Sequence, residues 1–315
     1  MPNVPSSYRA PAHLRGGHLQ TIYPALFRRV LRVTRRRERL ELPDGDFLDL
    51  DWSTQGRDRL AILSHGLEAN SGAPYVQGMA AALQRHGWDV LAWNYRSCSG
   101  ESNRLLSFYH SGATEDLHHV VTHALAVHPA GKIDLVGFSL GGNMTLKYLG
   151  EREASPRLHR AVTFSVPCDI ACSSGRLSKR ANRLYMERFL RSMREKLMEK
   201  KPRFPKEIDL TGLSNIRNFK EFDDRYTAPL HGFRDAEDYW ARSSSRPFLK
   251  DIKVPALLVN AANDPFLGPD CYPREEAEKS EVFHLEVPDN GGHVGFSTAA
   301  GEYWSERRAL EFLVA

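Results

Sequence analysis

The stretch that decides the fold is Gly137-Phe138-Ser139-Leu140-Gly141-Gly142. It follows Lys132-Ile133-Asp134-Leu135-Val136, whose apolar and β-branched residues are typical of a buried parallel strand. Residues 143–149, directly behind it, place apolar side chains at helical spacing. Glycines on both sides of a serine, between a strand and a helix, indicate a nucleophile elbow, because larger side chains there would collide with both elements. We therefore predict that Ser139 adopts a strained backbone conformation at the start of a helix.

Around this turn, buried strands and amphipathic helices alternate along the chain, which is typical of a mostly parallel sheet with helices on both faces. The fold class predicted from this pattern is α/β. Ahead of the alternation, Pro43-Asp44-Gly45-Asp46 provides turn chemistry between two alternating stretches, 39–43 and 47–52, so an antiparallel hairpin is predicted. The later strands are predicted at 60–64, 88–93, 132–136, 161–166, 254–260 and 282–287, and helices at 75–86, 115–128 and 302–313.

The alternation stops after the predicted strand at 161–166. Residues 169–246 are rich in charge, contain apolar residues at helical spacing and lack the pattern of a strand. We predict that they form a helical cap, inserted between a first part of the core (1–168) and a second part (247–315). Because ligands of open α/β sheets bind at the carboxyl ends of the strands, the cap should lie over or beside Ser139.

Residues 1–39 are predicted to form a basic arm at the start of the core, which is helical or partly irregular from Ala12 to Arg39. Two interpretations of the arm remain open. It either packs on the core with a solvated basic rim, or it makes a weak peripheral contact with anionic lipid headgroups. The arm contains Leu31 and the arginines Arg28, Arg29, Arg32, Arg35, Arg36, Arg37 and Arg39.

Composition limits the classes of partner and compartment. The 43 lysines and arginines against 39 acidic residues give a net charge of only +4, which is no indication of a nucleic-acid partner. The four cysteines lack a disulfide-rich spacing, and the polar N-terminus has no apolar signal region, so we expect reduced thiols and a cytoplasmic location. No apolar run approaches the roughly 20 residues that span a bilayer, so no transmembrane segment is expected.

Two later loops supply candidate partners for the serine. A serine hydroxyl needs a general base and a group that orients this base. In sheets of this type both follow the serine in the order acid, then histidine. Asp264 follows the predicted strand at 254–260, and His293 lies on a glycine-flanked loop after the next strand. We predict His293 as the base and Asp264 as the acid. Asp289 is the alternative acid, but it lies too near His293 on the same loop.

The oxyanion formed by nucleophilic attack needs two fixed N–H donors. We predict the N–H groups of Leu140 and Leu67, the latter because Gly66 allows the backbone of its loop to approach closely. His65, the competing base, is interpreted as a histidine that supports this loop. The glycine-rich turns match no phosphate or dinucleotide pattern, and no second Cys/His pair lies at zinc-like spacing near Cys168 and Cys172. Neither a cofactor nor a metal is expected.

The chain contains further motifs besides the elbow, namely Gly17-His18-Leu19-Gln20-Thr21-Ile22, His65-Gly66-Leu67, Asn94-Tyr95-Arg96, Tyr109-His110-Ser111-Gly112, Glu115-Asp116-Leu117, Asn263-Asp264-Pro265 and Gly292-His293-Val294-Gly295-Phe296. Together with the elbow, these motifs resemble the YheT-like branch of the α/β-hydrolase fold family. This resemblance implies a serine esterase acting on carboxylic esters, with Ser139, Asp264 and His293 as charge-relay residues. We predict that the substrate is a small-molecule ester of short to medium acyl chain. The alternatives are an acyltransferase or a lipase acting on acyl lipids, and a non-catalytic ligand-binding protein. A His-x4-Asp acyltransferase signature is absent, since Thr298 occupies the place of the aspartate.

Overall fold

A central sheet organises the molecule. The computed structural model describes residues 3–30, 33–153, 155–299 and 301–315, and within these the sheet has nine strands in the order β1-β9-β8-β7-β6-β4-β5-β3-β2. Strand β3 is antiparallel to β2 and β5, and the other neighbouring pairs are parallel. The strands are β1 (Asn3–Val4), β2 (Arg36–Glu41), β3 (Phe47–Ser53), β4 (Arg59–Ser64), β5 (Asp89–Asn94), β6 (Lys132–Phe138), β7 (Leu158–Phe164), β8 (Ala256–Val259) and β9 (Phe283–Glu286).

Helices cover both faces of the sheet, as predicted. Successive residues of a strand point to opposite faces. In β5, Leu91 and Trp93 pack in one apolar cluster with the helices at Thr114–Val127 and Leu140–Glu151, whereas Val90 and Ala92 pack in another with the helices at Pro74–Arg85 and Trp304–Val314. The strands are therefore apolar on both faces. The helices are α1 (Gly17–Phe27), α2 (Pro74–Arg85), α3 (Thr114–Val127), α4 (Leu140–Glu151), α5 (Ile170–Leu177), α6 (Arg183–Lys200), α7 (Phe219–Phe222), α8 (Ala228–Leu230), α9 (Ala236–Ser243), α10 (Arg274–Glu278) and α11 (Trp304–Val314).

The segment between β7 and β8 is helical. It contains α5 to α9, a π-helical turn at Asp223–Thr227 and short 3-10 turns, and no strand occurs among its residues, all of which the structure describes. The segment has an apolar cluster of its own, which includes Leu190 of α6 and Trp240 of α9 and also takes in Phe266 from the loop after β8. We propose that residues 169–246 act as a cap, and use that name for them below.

The N-terminal region corrects one prediction. The hairpin is present as β2 and β3, but β2 begins at Arg36, so the expectation of a helical or irregular arm up to Arg39 was wrong at this end. The reason lies in the partner strand, where Asp51 and Asp49 stand opposite Arg37 and Arg39 and bind their guanidinium groups at 2.8 Å. Such cross-strand ion pairs extend a sheet that the basic run alone does not suggest. Leu31 and Arg32 lie outside the described residues.

Two further features concern membranes and thiols. Among the residues that the structure describes, none of the helices has both the length and the apolar character needed to cross a bilayer. The four cysteines are unpaired, as their spacing suggested, and Cys98, Cys168 and Cys271 are buried. Burial raises the pKa of the Cys98 thiol to about 11, so this group stays protonated at neutral pH.

Candidate active site

The backbone at Ser139 has the strained geometry that the sequence predicts. Ser139 connects β6 to α4 with φ 52° and ψ −120°, a conformation that non-glycine residues rarely adopt. The neighbouring glycines leave no room for side chains, since a Cβ on Gly137 would lie 2.6 Å from the Cα of Gly142. A Cβ on Gly141 would collide with the carbonyl oxygen of His65. Close packing therefore holds the serine in place at the end of its strand.

The structure brings the three predicted catalytic side chains together. His293 Nε2 lies 2.9 Å from Ser139 Oγ, and His293 Nδ1 lies 2.9 Å from Asp264 Oδ2. Asp264 is buried, and its Oδ1 also accepts a hydrogen bond from the N–H of Phe266 at 2.8 Å. With the Nδ1 proton donated to the carboxylate, Nε2 can accept the proton of the serine hydroxyl. The rival acid Asp289 is exposed, and the carboxylate that contacts the imidazole is that of Asp264.

Both predicted oxyanion donors border the serine. Leu67 and Leu140 line the same cavity as Ser139, and a Cβ on Gly66 would lie 3.2 Å from the Cβ of Ser139. Leu140 is the first residue of α4, where an N–H has no acceptor within the helix. In the loop, Tyr75 accepts the N–H of Gly66 at 2.8 Å, whereas no acceptor for the Leu67 N–H occurs among the described residues. The two N–H groups are thus available to an incoming oxygen.

Two spaces meet at Ser139 and His293. The first, here called the inner cavity, lies under the cap and has a volume of about 120 Å³. The second, here called the outer groove, has a volume of about 680 Å³ and runs between α1, the loop 66–75 and α6. The cap side chains that line the inner cavity include Leu177, Phe189, Met193, Phe219, Phe222 and Leu230.

Known proteins share this architecture and sequence. A family model described as alpha/beta hydrolase fold matches residues 62–300. YheT of Escherichia coli (strain K12) is 36% identical over 306 residues, which cover 94% of this chain and 89% of YheT.

The chain belongs to the α/β-hydrolase family.

Further relatives within this family are enzymes by name. The human phospholipase ABHD3 is 29% identical over 274 residues, which cover 84% of this chain and 67% of that protein. Among solved structures, the esterase Pf2001 of Pyrococcus furiosus superimposes with a TM-score of 0.61 at 19% identity, covering 90% of this chain and 91% of the esterase, and this likeness shows the fold. The predicted resemblance to the YheT-like branch is confirmed, and the chain is a hydrolase.

His65 supports the loop that carries Leu67 rather than serving as a base. It is fully buried, its Nδ1 lies 2.8 Å from the carbonyl oxygen of Gly66, and its Nε2 accepts the N–H of Tyr95 at 3.3 Å. Burial lowers the pKa of His65 to about 3, so its imidazole is neutral at physiological pH. Both ring nitrogens are engaged, which confirms the interpretation of a structural histidine in this hydrolase.

The N-terminal helix α1 holds the loop of His293, a role that the sequence did not predict. Thr21 Oγ1 accepts the N–H of His293 at 2.9 Å, and the buried Gln20 accepts the N–H of Gly291 through Oε1 at 2.5 Å. A Cβ on Gly292 would lie 2.7 Å from the carbonyl oxygen of Gly17. In the sequence, the Gly17–Ile22 motif contributes only to the family resemblance and predicts no such contact. The available signal was its polar Gln20-Thr21 pair within an otherwise apolar helix.

A partly buried ion pair joins the cap to the loop that carries Leu67. Glu68 Oε1 accepts from Lys196 Nζ of α6 at 2.9 Å and from the hydroxyl of Tyr109 at 2.7 Å. Its other oxygen accepts from Ser192, also on α6, at 2.5 Å. Glu68 itself has φ 52°, so these contacts hold the residue after Leu67 in an uncommon conformation. The position of the cap is thereby linked to the position of the predicted oxyanion donor.

A few polar groups lie within the otherwise apolar lining of the inner cavity. Asp223 accepts hydrogen bonds from Thr227 at 2.6 Å and Trp240 at 2.8 Å, and burial raises the pKa of this carboxyl to about 7. Burial also lowers the pKa of His231 to about 4, and that of the adjacent His110 falls well below its usual value for the same reason. These imidazoles are therefore uncharged at neutral pH, and the charges of Glu68 and Lys196 in the lining compensate each other, so the cavity suits an uncharged guest.

Proposed function

We propose that the protein hydrolyses carboxylic esters through an acyl-enzyme intermediate. Ser139 Oγ attacks the ester carbonyl carbon while His293 Nε2 takes the hydroxyl proton, and Asp264 stabilises the imidazolium that forms. The carbonyl oxygen becomes an oxyanion that accepts hydrogen bonds from the N–H groups of Leu67 and Leu140. When the ester C–O bond breaks, His293 returns the proton to the departing alcohol. Water then attacks the acyl-serine by the same steps, releasing the acid and restoring the serine.

One observation carries this proposal: His293 joins Ser139 to Asp264 through two contacts of 2.9 Å. A nucleophile, a base and an orienting acid within hydrogen-bond distance are the arrangement that serine hydrolysis requires. The strained backbone at Ser139 supports the same assignment, because strain of this kind is retained at sites where it serves a function.

The inner cavity supports a short to medium acyl chain as the substrate's acyl group. Its volume of about 120 Å³ is close to that of cavities, about 150 Å³, that accommodate benzene in other proteins. Each substrate methylene that it buries contributes about 0.8 kcal/mol of binding. The outer groove, on the other side of Ser139, would receive the alcohol portion of a small-molecule ester. We also propose a cytoplasmic location, supported by the four free cysteines.

The test is covalent labelling with a fluorophosphonate, which reacts with an activated serine. Wild-type protein should gain the mass of one phosphonyl group, and Ser139→Ala should gain none. Ser174→Ala is the matched control, because Ser174 also lines the inner cavity yet has no base beside it in our proposal. Labelling that persists in Ser139→Ala, or its absence from wild type, would contradict the proposed nucleophile. The latter result would favour the alternative of a non-catalytic ligand-binding protein.

The size of the outer groove favours acyl transfer as a second candidate reaction. At about 680 Å³, it leaves space for an acceptor alcohol beside an acyl-serine. A lipase-like action on acyl lipids would use the same space for a larger leaving group, in keeping with the phospholipase among the relatives. Product analysis with increasing glycerol would separate acyl transfer from hydrolysis, whether the hydrolysed ester is a small molecule or an acyl lipid. Constant release of free acid, without a new glyceryl ester, would rule out transfer to this acceptor.

A further inference from the structure

The outward face of α1 is apolar although it faces solvent. Successive residues of a helix are 100° apart, so residues 19, 22, 23, 26 and 27 share one arc of about 140°. The inward face carries Gln20 and Pro24, which are buried. The exposed fractions of the outward residues are 45% for Leu19, 40% for Ile22, 39% for Tyr23, 69% for Leu26 and 63% for Phe27. An apolar patch of this kind beside a groove marks an interaction surface.

The first half of α6 continues this surface across the outer groove. His18 of α1 stacks on Tyr185 of α6 with ring centroids 5.8 Å apart, so the two helices flank the groove at close range. Leu184 is 83% exposed and lines the groove with Ile22 and Leu26. The opening that leads to Ser139 is thus bordered by apolar side chains on both sides.

Exposed arginines surround these apolar residues. Arg183, Arg188 and Arg191 on α6 and Arg29 after α1 are exposed, and within the described ranges none of them forms an ion pair. Of the acidic residues on this part of α6, Glu187 is already paired with Arg194. Glu195, farther along the groove, remains exposed. The rim therefore has an excess of positive charge. By contrast, Arg37 and Arg39 of β2 are paired with the carboxylates of Asp51 and Asp49 in β3, so their charges are already compensated.

We propose that the outward face of α1 and the first half of α6 form a docking surface for a lipid bilayer with anionic headgroups. An interfacial helix buries its apolar face about 5–10 Å deep, at the boundary of headgroups and acyl chains, while basic side chains bind the headgroups. Docked in this way, the outer groove opens towards the bilayer, so an apolar ester passes to Ser139 without crossing water. Helix α1 and Arg29 belong to the arm, residues 1–39, for which the sequence leaves a contact with lipid headgroups open, and α6 adds a part of the surface that the arm does not contain.

The charge of the rim favours a bilayer over a second copy of the chain. A symmetric dimer through this face would bring the same arginines of two copies together, and like charges across an interface cost binding energy. An anionic bilayer provides the opposite charge without requiring a matching shape. The exposed residues are also of the types found on interfacial helices, namely leucine and aromatic residues flanked by arginine.

The test is co-sedimentation with vesicles, using Ser139→Ala protein so that turnover does not alter the lipid. Phosphatidylcholine vesicles with one third phosphatidylglycerol should bind the protein, and phosphatidylcholine alone should bind it at least tenfold more weakly. Phe27→Ser and Leu19→Ser should each weaken binding to the anionic vesicles about tenfold. Arg29→Gln and Arg183→Gln should each weaken it about fivefold. None of these four residues lines the groove or the cavity.

Matched controls lie elsewhere on the surface. Val127→Ser removes an apolar residue that is 55% exposed on α3, and Arg57→Gln removes an exposed arginine before β4. Both should bind vesicles like the parent protein. Equal binding by Phe27→Ser and Val127→Ser, or no binding to anionic vesicles at all, would overturn the proposal. So would a dimer in light scattering that Phe27→Ser dissociates while vesicle binding is unchanged. Because binding is measured without turnover, these outcomes are independent of the proposed hydrolysis.

Discussion

The elbow region and the cap both border Ser139, but different physical constraints shape them. At the elbow, backbone atoms touch so closely that Gly137 and Gly141 have no room for a Cβ. In the cap, apolar side chains such as Phe189 and Met193 leave a cavity between them. In the proposed reaction, the core fixes the reacting atoms, and the cap determines which molecules fit beside them. Changes in the core should therefore alter the rate for every ester, and changes in the cap should alter the preference among esters.

The largest effect is expected at the core. Ser139→Ala and His293→Ala should each reduce kcat by about 10⁴- to 10⁶-fold, because the nucleophile and its base act as one unit. The double variant should be little slower than either single one. Steady-state hydrolysis of a short ester would measure this, with circular dichroism to verify folding.

The outcome that contradicts this unit is additivity. If the two losses multiplied in the double variant, Ser139 and His293 would act independently. A further check is Asp264→Asn, which should be less damaging than loss of the histidine, because it disturbs the orientation of His293 without removing the base.

A smaller effect is expected where α1 supports the core. Thr21→Val removes the hydroxyl that accepts the N–H of His293, and one hydrogen bond contributes about 0.5–1.5 kcal/mol. We expect kcat to fall by up to about tenfold with KM nearly unchanged, because the imidazole is displaced while the substrate sites remain. Thr21→Ser keeps the hydroxyl and should retain most of the activity. Equal losses in the valine and serine variants would show that the hydrogen bond is not responsible.

The cap should respond in its specificity. Met193→Ala enlarges the inner cavity, so the preferred ester should have a longer acyl chain, with each extra buried methylene favoured by up to about fourfold. Met198→Ala is the matched control on the same helix, since Met198 is 50% exposed and does not line the cavity. Comparing kcat/KM from acetate to decanoate esters would measure the shift. An identical chain-length profile in both variants would mean that the cap does not hold the acyl chain.

The same difference explains what could be predicted from the sequence. The elbow, Asp264 and His293 follow from glycine spacing and strand order, because tight backbone contacts tolerate few residues. The role of Gln20 could not be predicted, since its partner Gly291 is 271 residues away and only the folded chain brings them together. The extension of β2 to Arg36 likewise depends on carboxylates of another strand.

The details of the inner cavity also could not be predicted from the sequence. Apolar residues at helical spacing in α6 indicated a packed face, and Leu190 and Leu197 are indeed buried. The same spacing cannot show that Met193 borders a cavity while Met198 faces solvent. Nor does it show that Asp223 is buried against Trp240, because that hydrogen bond joins the π-helical turn to α9.

The smallest effect concerns the stability of the cap, where Asp223 is buried. Burial raises the pKa of this carboxyl to about 7 in the folded protein, against 3.8 for an ordinary aspartate. At a pH between about 4 and 7, the folded state therefore keeps a proton that the unfolded state has lost. Stability should therefore decrease as the pH rises from about 4 to 7, and change no further through this group above that range. Asp223→Asn is neutral at every pH and can still bond Thr227 and Trp240, so its Tm should exceed that of wild type by a few degrees at pH 8 and match it near pH 4. Asp224→Asn is the control, because it changes a neighbouring carboxylate bound to Lys220 and leaves Asp223 in place. If Tm changed by the same amount between pH 4 and pH 8 in wild type and in Asp223→Asn, this carboxyl would not be what makes the cap sensitive to pH.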